Sequence, residues 1–227
     1  MKPVARLRGC YPEKFGVPRQ PGLVASARGT VVFEPEYRRE EAVRGLEGFS
    51  HVWLVWVFDQ VPDGEERLSV RPPRLGGNDK LGVFATRSPF RPNRIGLSVV
   101  KLERVVPESG DGPVLEVSGV DLVDGTAILD VKPYVPYADR VEEAVGAFAS
   151  EAPPRMEVVI GDEARDDFDR LDGSTKNLVV ETLALDARPA YHGEAREDRI
   201  YHILVEGIEV DWHVMDGACR VVAVRMA

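Results

Sequence analysis

Residues 96–134 read GLSVVKLERVVPESGDGPVLEVSGVDLVDGTAILDVKPY, and this stretch decides the fold class. It divides into three runs rich in Val, Leu and Ile, GLSVVKLERVV (96–106), PVLEVSGVDL (113–122) and AILDVKPY (127–134), with Pro, Gly, Ser and Asp between them. Apolar and β-branched runs of this length, bounded by turn residues, are strands at close spacing. Working outward, VARLRG (4–9), GTVVFE (29–34) and KLGVFATR (80–87) are further strand candidates. HVWLVWVFD (51–59) is so continuously apolar that it is predicted to be buried on both sides. One segment before residue 134 reads as a short helix, PEYRREEAVRGLEGFS (35–50), with Ala42, Val43 and Leu46 on one face and Gly45 or Gly48 near its end. Together these predict a mainly β chain, built on a small antiparallel or mixed β-barrel.

After YVPYADRVEE (134–143) the texture changes. VEEAVGAFASEAPP (141–154) reads as a helix or a linker ending at Pro153, MEVVIGDEA (156–164) begins as a strand, and 162–172 is heavily acidic. KNLVVETLAL (176–185) fits a helix, and RIYHILVEGIEVDWHV (199–214) and CRVVAVRM (219–226) fit strands. The expectation is a barrel domain over 1–138 and a smaller α+β domain over 139–227, with the boundary near 138–150. There is no internal repeat and no low-complexity tract.

Charge is divided the same way. The chain has 29 basic and 38 acidic residues, a net charge of −9, but residues 1–138 hold 19 bases and 18 acids while 139–227 hold 10 and 20. Within the first part, RPPRLGGNDKLGVFATRSPFRPNRIG (71–96) carries six bases against the single acid Asp79. Residues 67–104 have a net charge of +7. Pro and Gly interrupt this run too often for a helix, so it is a loop system rich in guanidinium forks, which suit phosphate. A polyanion such as nucleic acid is the expected partner, bound locally on an acidic protein.

No basic start followed by an apolar stretch and a cleavage site is present, and no apolar run approaches the roughly 20 residues that cross a bilayer, so a cytoplasmic protein without a membrane partner is expected. Cys10 and Cys219 lie far apart in sequence, which disfavours a disulfide framework or a cysteine metal site. The chain lacks a G-x-G-x-x-G after a strand and a G-x-x-x-x-G-K-[ST] loop, and His51, His192, His202 and His213 lack zinc spacing. No metal is expected, and a Rossmann enzyme or metallohydrolase is disfavoured. His51 opens an apolar strand, where a structural role outweighs ligation.

Two further stretches read as ligand loops. In PEKFGVPRQPG (12–22), prolines flank Arg19 and Gln20 and hold the chain extended. In DLVDGTAILDVKPY (121–134), Asp124-Gly125-Thr126 forms a tight turn, and Asp130, Lys132 and Tyr134 alternate onto one face of a regular strand. A plain surface hairpin with a charged edge fits the second stretch equally well.

Five motifs in order, EKFGVPRQPGLV (13–24), AVRGLEGFSHVWLVWVF (42–58), VRPPRLGG (70–77), GVFATRSPFRPNRIGLS (82–98) and DLVDGTAILDVKPY (121–134), closely resemble the TsaA-like family of tRNA N6-threonylcarbamoyladenosine methyltransferases. ETLALDARPAYH (181–192) resembles that family's C-terminal domain. The resemblance implies a β-barrel that binds S-adenosyl-L-methionine, works as a homodimer, and acts on tRNA beside the anticodon, at position 37. It implies cofactor contacts at Pro18, Arg19 and Gln20, at Asp59 and Gln60, at Arg87 and Ser88, at Leu97, and at Asp124, Gly125, Thr126 and Ala127. Two residues depart from the family pattern: Asp59 stands where His is common, and Arg94 replaces the second proline of R-P-N-P-I-G.

The residue chemistry agrees with this implication. A sulfonium cofactor carries its own reactive methyl group, so the protein needs alignment and exclusion of water more than a metal or a covalent nucleophile. The acceptor nitrogen must lose a proton, and Asp124, Asp130 and Tyr134 are candidates to receive it. Pairing of Asp130 with Lys132 or an arginine is the structural alternative. Arg71, Arg74, Arg91 and Arg94, with Lys132, are candidates for the anticodon-loop backbone, and Tyr134, Tyr137 or Phe90 for stacking on a splayed base. The competing function is a non-catalytic RNA-binding barrel using the same arginines. Methylation of a small molecule is a third reading, weakened by the basic loop.

Overall fold

The computed structural model describes residues 1–62, 64–75, 79–188 and 199–227. The strands are β1 (Ala5–Gly9), β2 (Arg28–Phe33), β3 (His51–Val57), β4 (Ser69–Val70), β5 (Leu81–Gly82), β6 (Ile95–Val106), β7 (Val114–Ser118), β8 (Ala127–Pro133), β9 (Val158–Ile160), β10 (Tyr201–Val205), β11 (Ile208–Met215) and β12 (Ala218–Met226). The α-helices are the single turns α1 (Glu40–Val43) and α2 (Pro136–Asp139), and the longer α3 (Asp162–Arg170) and α4 (Gly173–Leu183). The chain divides into two compact units: one comprises Met1–Arg8, Thr30–Val117 and Gly125–Ala152, the other Gly9–Gly29, Ser118–Asp124 and Pro153–Ala227.

The first unit is built on a closed six-stranded barrel in the order β1-β2-β7-β6-β3-β8, as the strand spacing predicts. The pairings of β3 with β6, β3 with β8 and β1 with β8 are antiparallel. Side chains alternate along the strands. On β3, Val52, Leu54 and Trp56 are buried, whereas His51, Trp53, Val55 and Val57 are only half-buried. This corrects the expectation of a strand buried on both faces: a closed barrel has one interior, and the other face of β3 lies outside it. Outside, Trp53 packs against Tyr134 with ring centroids 5.9 Å apart, and its indole N–H donates to Asp139 Oδ2 at 3.0 Å.

Inside, β6 turns Gly96, Ser98, Val100 and Leu102 toward the core. Gly96 faces Trp56 in the β3–β6 register, and a β-carbon on it would stand 2.3 Å from the indole ring. Glycine is what allows the ring to lie flat there. The Trp56 N–H is then satisfied by the buried Ser98 Oγ at 3.0 Å.

Three other sequence expectations change. Residues 35–50 form two 3-10 turns around α1 in place of one helix, because Gly45 and Gly48 interrupt the run and Val43 is the one residue buried on α1. The 80–87 strand shortens to β5, which pairs with β4 and passes into a 3-10 turn at Val83–Ala85, where the Thr86 hydroxyl donates to Val83 O at 2.9 Å. The 113–122 strand ends at Ser118, after which Gly119 O accepts from Gly22 N and Val120 N donates to Ala27 O.

In the second unit, β10, β11, β12 and β9 form a sheet in that order, antiparallel except for the β12–β9 pair. The acidic run 162–170 is α3, which buries Ala164 and Phe168 and places Asp162 and Glu163 in its first turn, where negative charge is favourable. Asp172 caps α4 by accepting from Ser174 N and Thr175 N. Tyr11, Val24 and Ala27, from the segment 9–29, are fully buried in this unit along with Trp212, Leu178, Leu183 and Ile203. Cys10 and Cys219 are buried free thiols, each pushed up to about 12, chiefly by desolvation. Part of the ETLALDARPAYH motif, 189–192, lies outside the described residues.

Candidate functional site

The turn at 124–127 is fastened to β1 on both sides. Gly125 N donates to Leu7 O at 2.8 Å, Leu7 N donates to Thr126 O at 3.1 Å, and an Arg6 guanidinium N–H donates to Gly125 O at 3.1 Å. Asp124 Oδ1 accepts from Gly9 N at 2.9 Å, and Asp124 N donates to Tyr11 O at 2.7 Å. Gly125 has φ +78°, a conformation other residues adopt at a cost, and a β-carbon on it would meet nothing within 4 Å. A rigid turn with open space above its glycine suits close approach of a ligand to backbone. Thr126 and Ala127 are buried beneath it. Arg6, which sequence reading did not single out, holds this turn; a lone arginine in a short strand carries no signal for that role.

Pro18 is buried, Gln20 half-buried and Arg19 exposed in the loop of the second unit. That loop borders a cavity of about 280 Å³ whose lining includes Lys14, Phe15, Pro18, Arg19, Thr182 and Asp186. Burial alone would push the Asp186 carboxyl up, but hydrogen bonds from Arg188 at 2.7 and 2.9 Å, its charge and that of Arg19 hold it below the usual carboxylate range.

Asp59 and Gln60 are exposed just after β3. Their loop is tied to Arg94: Phe58 N donates to Arg94 O at 2.8 Å and an Arg94 guanidinium N–H donates to Val61 O at 2.5 Å. Arg94 has φ +49°. A proline is held near −65° and could not take this backbone, so the departure from R-P-N-P-I-G alters the path of the loop as well as its charge.

The Arg-rich loop is similarly self-bonded. Arg91 donates to Thr86 O at 3.0 Å, Phe90 N donates to Ser88 Oγ at 3.3 Å, and the Arg67 guanidinium lies 4.6 Å from the Phe90 ring centre. Arg91 and Arg94 are half-buried; Arg71, Arg74 and Arg87 are exposed, Arg74 donating to Glu151 O. Gly76, Gly77 and Asn78 of the same loop lie outside the described residues.

Leu97 is half exposed on the outer face of the barrel, opposite Val55. Asp130 is also opposite Val55 and Lys132 opposite Trp53, and the two charges pair at 3.2 Å. Asp130 Oδ1 additionally accepts from Val131 N at 3.0 Å. Tyr134 follows β8 and meets the His51 ring edge-on, with centroids 6.3 Å apart, and the Trp53 ring at a tilt, 5.9 Å away. The turn that begins β8 and the tyrosine that follows it lie at opposite ends of a seven-residue strand, about 20 Å apart at 3.3 Å per residue. Asp124 and Tyr134 therefore do not converge on one proton; Asp130, at the middle of β8, and Lys132 lie on one face of the strand, with Tyr134 beyond its end. Among the described residues, no group of three or more His, Cys, Asp or Glu is placed to hold a metal ion.

The model of the tRNA-methyltransferase O N-terminal domain matches residues 6–140, and that of the TrmO C-terminal domain matches 153–227. The tRNA (adenine(37)-N6)-methyltransferase of Escherichia coli K12 is 44% identical over 223 residues, covering 96% of this chain and 94% of that protein. A Pseudomonas aeruginosa protein, RcsF, provisionally named an S-adenosylmethionine-dependent methyltransferase, is 46% identical over 94% of this chain and 91% of its own length. The crystal structure of TrmO from Pseudomonas aeruginosa superposes with a TM-score of 0.79 at 38% identity, covering all of this chain and 96% of that one. On matches that run through both halves of the sequence, the chain belongs to the tRNA-methyltransferase O family.

Proposed function

We propose that this protein transfers a methyl group from S-adenosyl-L-methionine to N6 of the threonylcarbamoyl-modified adenosine at position 37 of tRNA, beside the anticodon. The observation that carries this reading is the 124–127 turn, a left-handed glycine fastened to β1 under open space, in a chain similar along its length to a tRNA (adenine(37)-N6)-methyltransferase. The relatives named as tRNA methyltransferases favour catalysis over an RNA-binding barrel without turnover.

Residues 1–138 are assigned as the cofactor-binding catalytic domain and 139–227 as an accessory domain. The cofactor residues are Pro18, Arg19, Gln20, Asp59, Gln60, Arg87, Ser88, Leu97 and Asp124–Ala127. When bound, S-adenosylmethionine supplies an activated methyl group on its sulfonium. The protein's task is to hold the N6 nitrogen in line with that methyl, keep water away and let the N6 proton leave. Asp124, Asp130 and Tyr134 are assigned as candidate proton acceptors, Asp124 while also holding Gly9 and Asp130 while also pairing with Lys132, which is assigned to a phosphate. Arg71, Arg74, Arg91 and Arg94 are assigned to the RNA side.

Homodimer formation is supported by the outer face of β3 and β6, where Trp53, Val55, Val57, Ile95, Leu97 and Val99 form a partly exposed apolar row. No helix among the described residues is long and apolar enough to cross a membrane, and a tRNA substrate suits action in the cytoplasm. Calorimetry with S-adenosylmethionine tests the cofactor reading. The wild-type protein is expected to bind it and Gly125→Glu, whose side chain fills the space above the turn, is not; equal binding by both would remove the turn from the site.

A further inference from the structure

Residues 9–29 belong by sequence to the barrel half, yet they are built into the unit that contains Pro153–Ala227. The end of α4 is what they rest on. The Tyr11 hydroxyl and Thr182 Oγ1 lie 3.1 Å apart, and both residues are almost wholly buried. The Thr182 methyl group lies 3.7 Å from where a β-carbon of Gly16 would stand. Ser26 donates to Glu181 Oε2 from both its N–H, at 3.0 Å, and its hydroxyl, at 2.9 Å. Between these anchors, Pro18 and Arg19 border the same cavity as Thr182 and Asp186.

The segment has no regular secondary structure from Cys10 to Ala27, so its conformation is set by these contacts. A loop held open in its binding conformation loses less entropy when a ligand arrives, which raises affinity without adding a contact. Asp186 stands at φ +51° with its carboxylate gripped by Arg188, so its negative charge is fixed at the cavity wall. We propose that Thr182 and Asp186 are positioning residues for the cofactor: Thr182 anchors the segment that leads into the Pro18–Gln20 loop through Tyr11 and Gly16, and Asp186 sets a fixed negative charge on the cavity wall that Arg19 also lines, which favours the arrangement that binds S-adenosylmethionine. The inference rests on the assignment of Pro18–Gln20 to the cofactor. It gives the C-terminal half a task in cofactor binding, separate from any part in RNA recognition.

The test uses the full-length protein and calorimetric titration with S-adenosylmethionine and, separately, S-adenosylhomocysteine. Asn is the residue best able to keep the left-handed backbone, so Asp186→Asn removes charge without strain. Asp186→Asn is expected to raise Kd for both ligands about fivefold to tenfold, with KM for tRNA and the thermal midpoint unchanged; Thr182→Val, which leaves the buried Tyr11 hydroxyl without its partner, is expected to raise Kd by a similar factor and to lower the thermal midpoint by a few degrees. In an Arg19→Ala background, Asp186→Asn is expected to add nothing, because its effect passes through Arg19. If Arg19→Ala weakens binding while Asp186→Asn and Thr182→Val do not, or if the effects of Arg19→Ala and Asp186→Asn simply add, the positioning role is overturned. For Asp186→Asn, a fall in thermal midpoint that accounts for the change in Kd overturns it as well. If Arg19→Ala and Gln20→Ala both leave Kd unchanged, the loop assignment beneath it fails instead.

Discussion

Gly96 shows how one residue fixes the geometry around it. Its missing side chain is the space occupied by the Trp56 ring, whose N–H reaches Ser98. Gly96→Ala is expected to destabilise the protein by about 3 kcal/mol, because neither the strand nor the enclosed indole can move away. That corresponds to a fall of about 6 to 12 °C in the thermal midpoint of a chain this size, readable by calorimetry. Asp139 offers a pH-dependent counterpart. The Val135 N–H and then the Trp53 indole N–H hold its carboxyl below the usual carboxylate range. Its folded pKa is depressed, so the contribution is present above the unfolded value of about 3.9 and is lost as pH falls through the folded value. Difference fluorescence between the protein and Asp139→Asn, dominated by Trp53, is expected to persist at neutral pH and vanish in that acid window. Asp130 is the residue on which the chemistry divides: Asp130→Asn is expected to lower kcat about a hundredfold if it receives the N6 proton, and to raise KM for tRNA alone if it serves only to orient Lys132.

At the scale of elements, the Arg-rich loop divides into two kinds of arginine. Arg91 and Arg94 hold carbonyls of the loops around Ser88 and Gln60, whereas Arg71 is exposed. Arg71→Ala is therefore expected to raise KM for tRNA, flatten the salt dependence of binding by about one phosphate contact and leave the thermal midpoint unchanged. Arg91→Ala is expected also to weaken cofactor binding, since it loosens the Ser88 turn; equal cofactor affinity in both variants would contradict the distinction. The barrel strands were legible because alternation and turn residues are local signals, and β1, β2, β3, β6 and β8 follow them to within a residue or two. The helix expected at 35–50 and the strand expected at 80–87 were not, because apolar spacing alone cannot show that a helix buries a single residue or that a strand has only a two-residue neighbour. Of the site, the loops were legible from their glycines, prolines and arginines. Their supports were not: Arg6, Tyr11 and Thr182 act through contacts between residues over 100 positions apart.

For the whole molecule, two assignments reach beyond any one element. The half-exposed row on β3 and β6 is expected to be covered by a second copy, giving a solution mass near twice the 25.1 kDa of one chain, and Leu97→Glu is expected to return it to a monomer in light scattering. A monomeric wild-type protein at micromolar concentration would rule out the dimer. The domain order along the chain also differs from the packing, since 9–29 and 118–124 belong with the C-terminal half. Neither the sequence boundary near residue 140 nor the charge asymmetry signals this, because interleaved segments leave no change in composition. Methylation of N6 at position 37 is read out by mass spectrometry of tRNA nucleosides from cells lacking this protein. N6-threonylcarbamoyladenosine is expected to persist while its N6-methylated form disappears, and the wild-type gene is expected to restore the methyl group whereas Gly125→Glu is not. An unchanged level of the methylated nucleoside in those cells would contradict it.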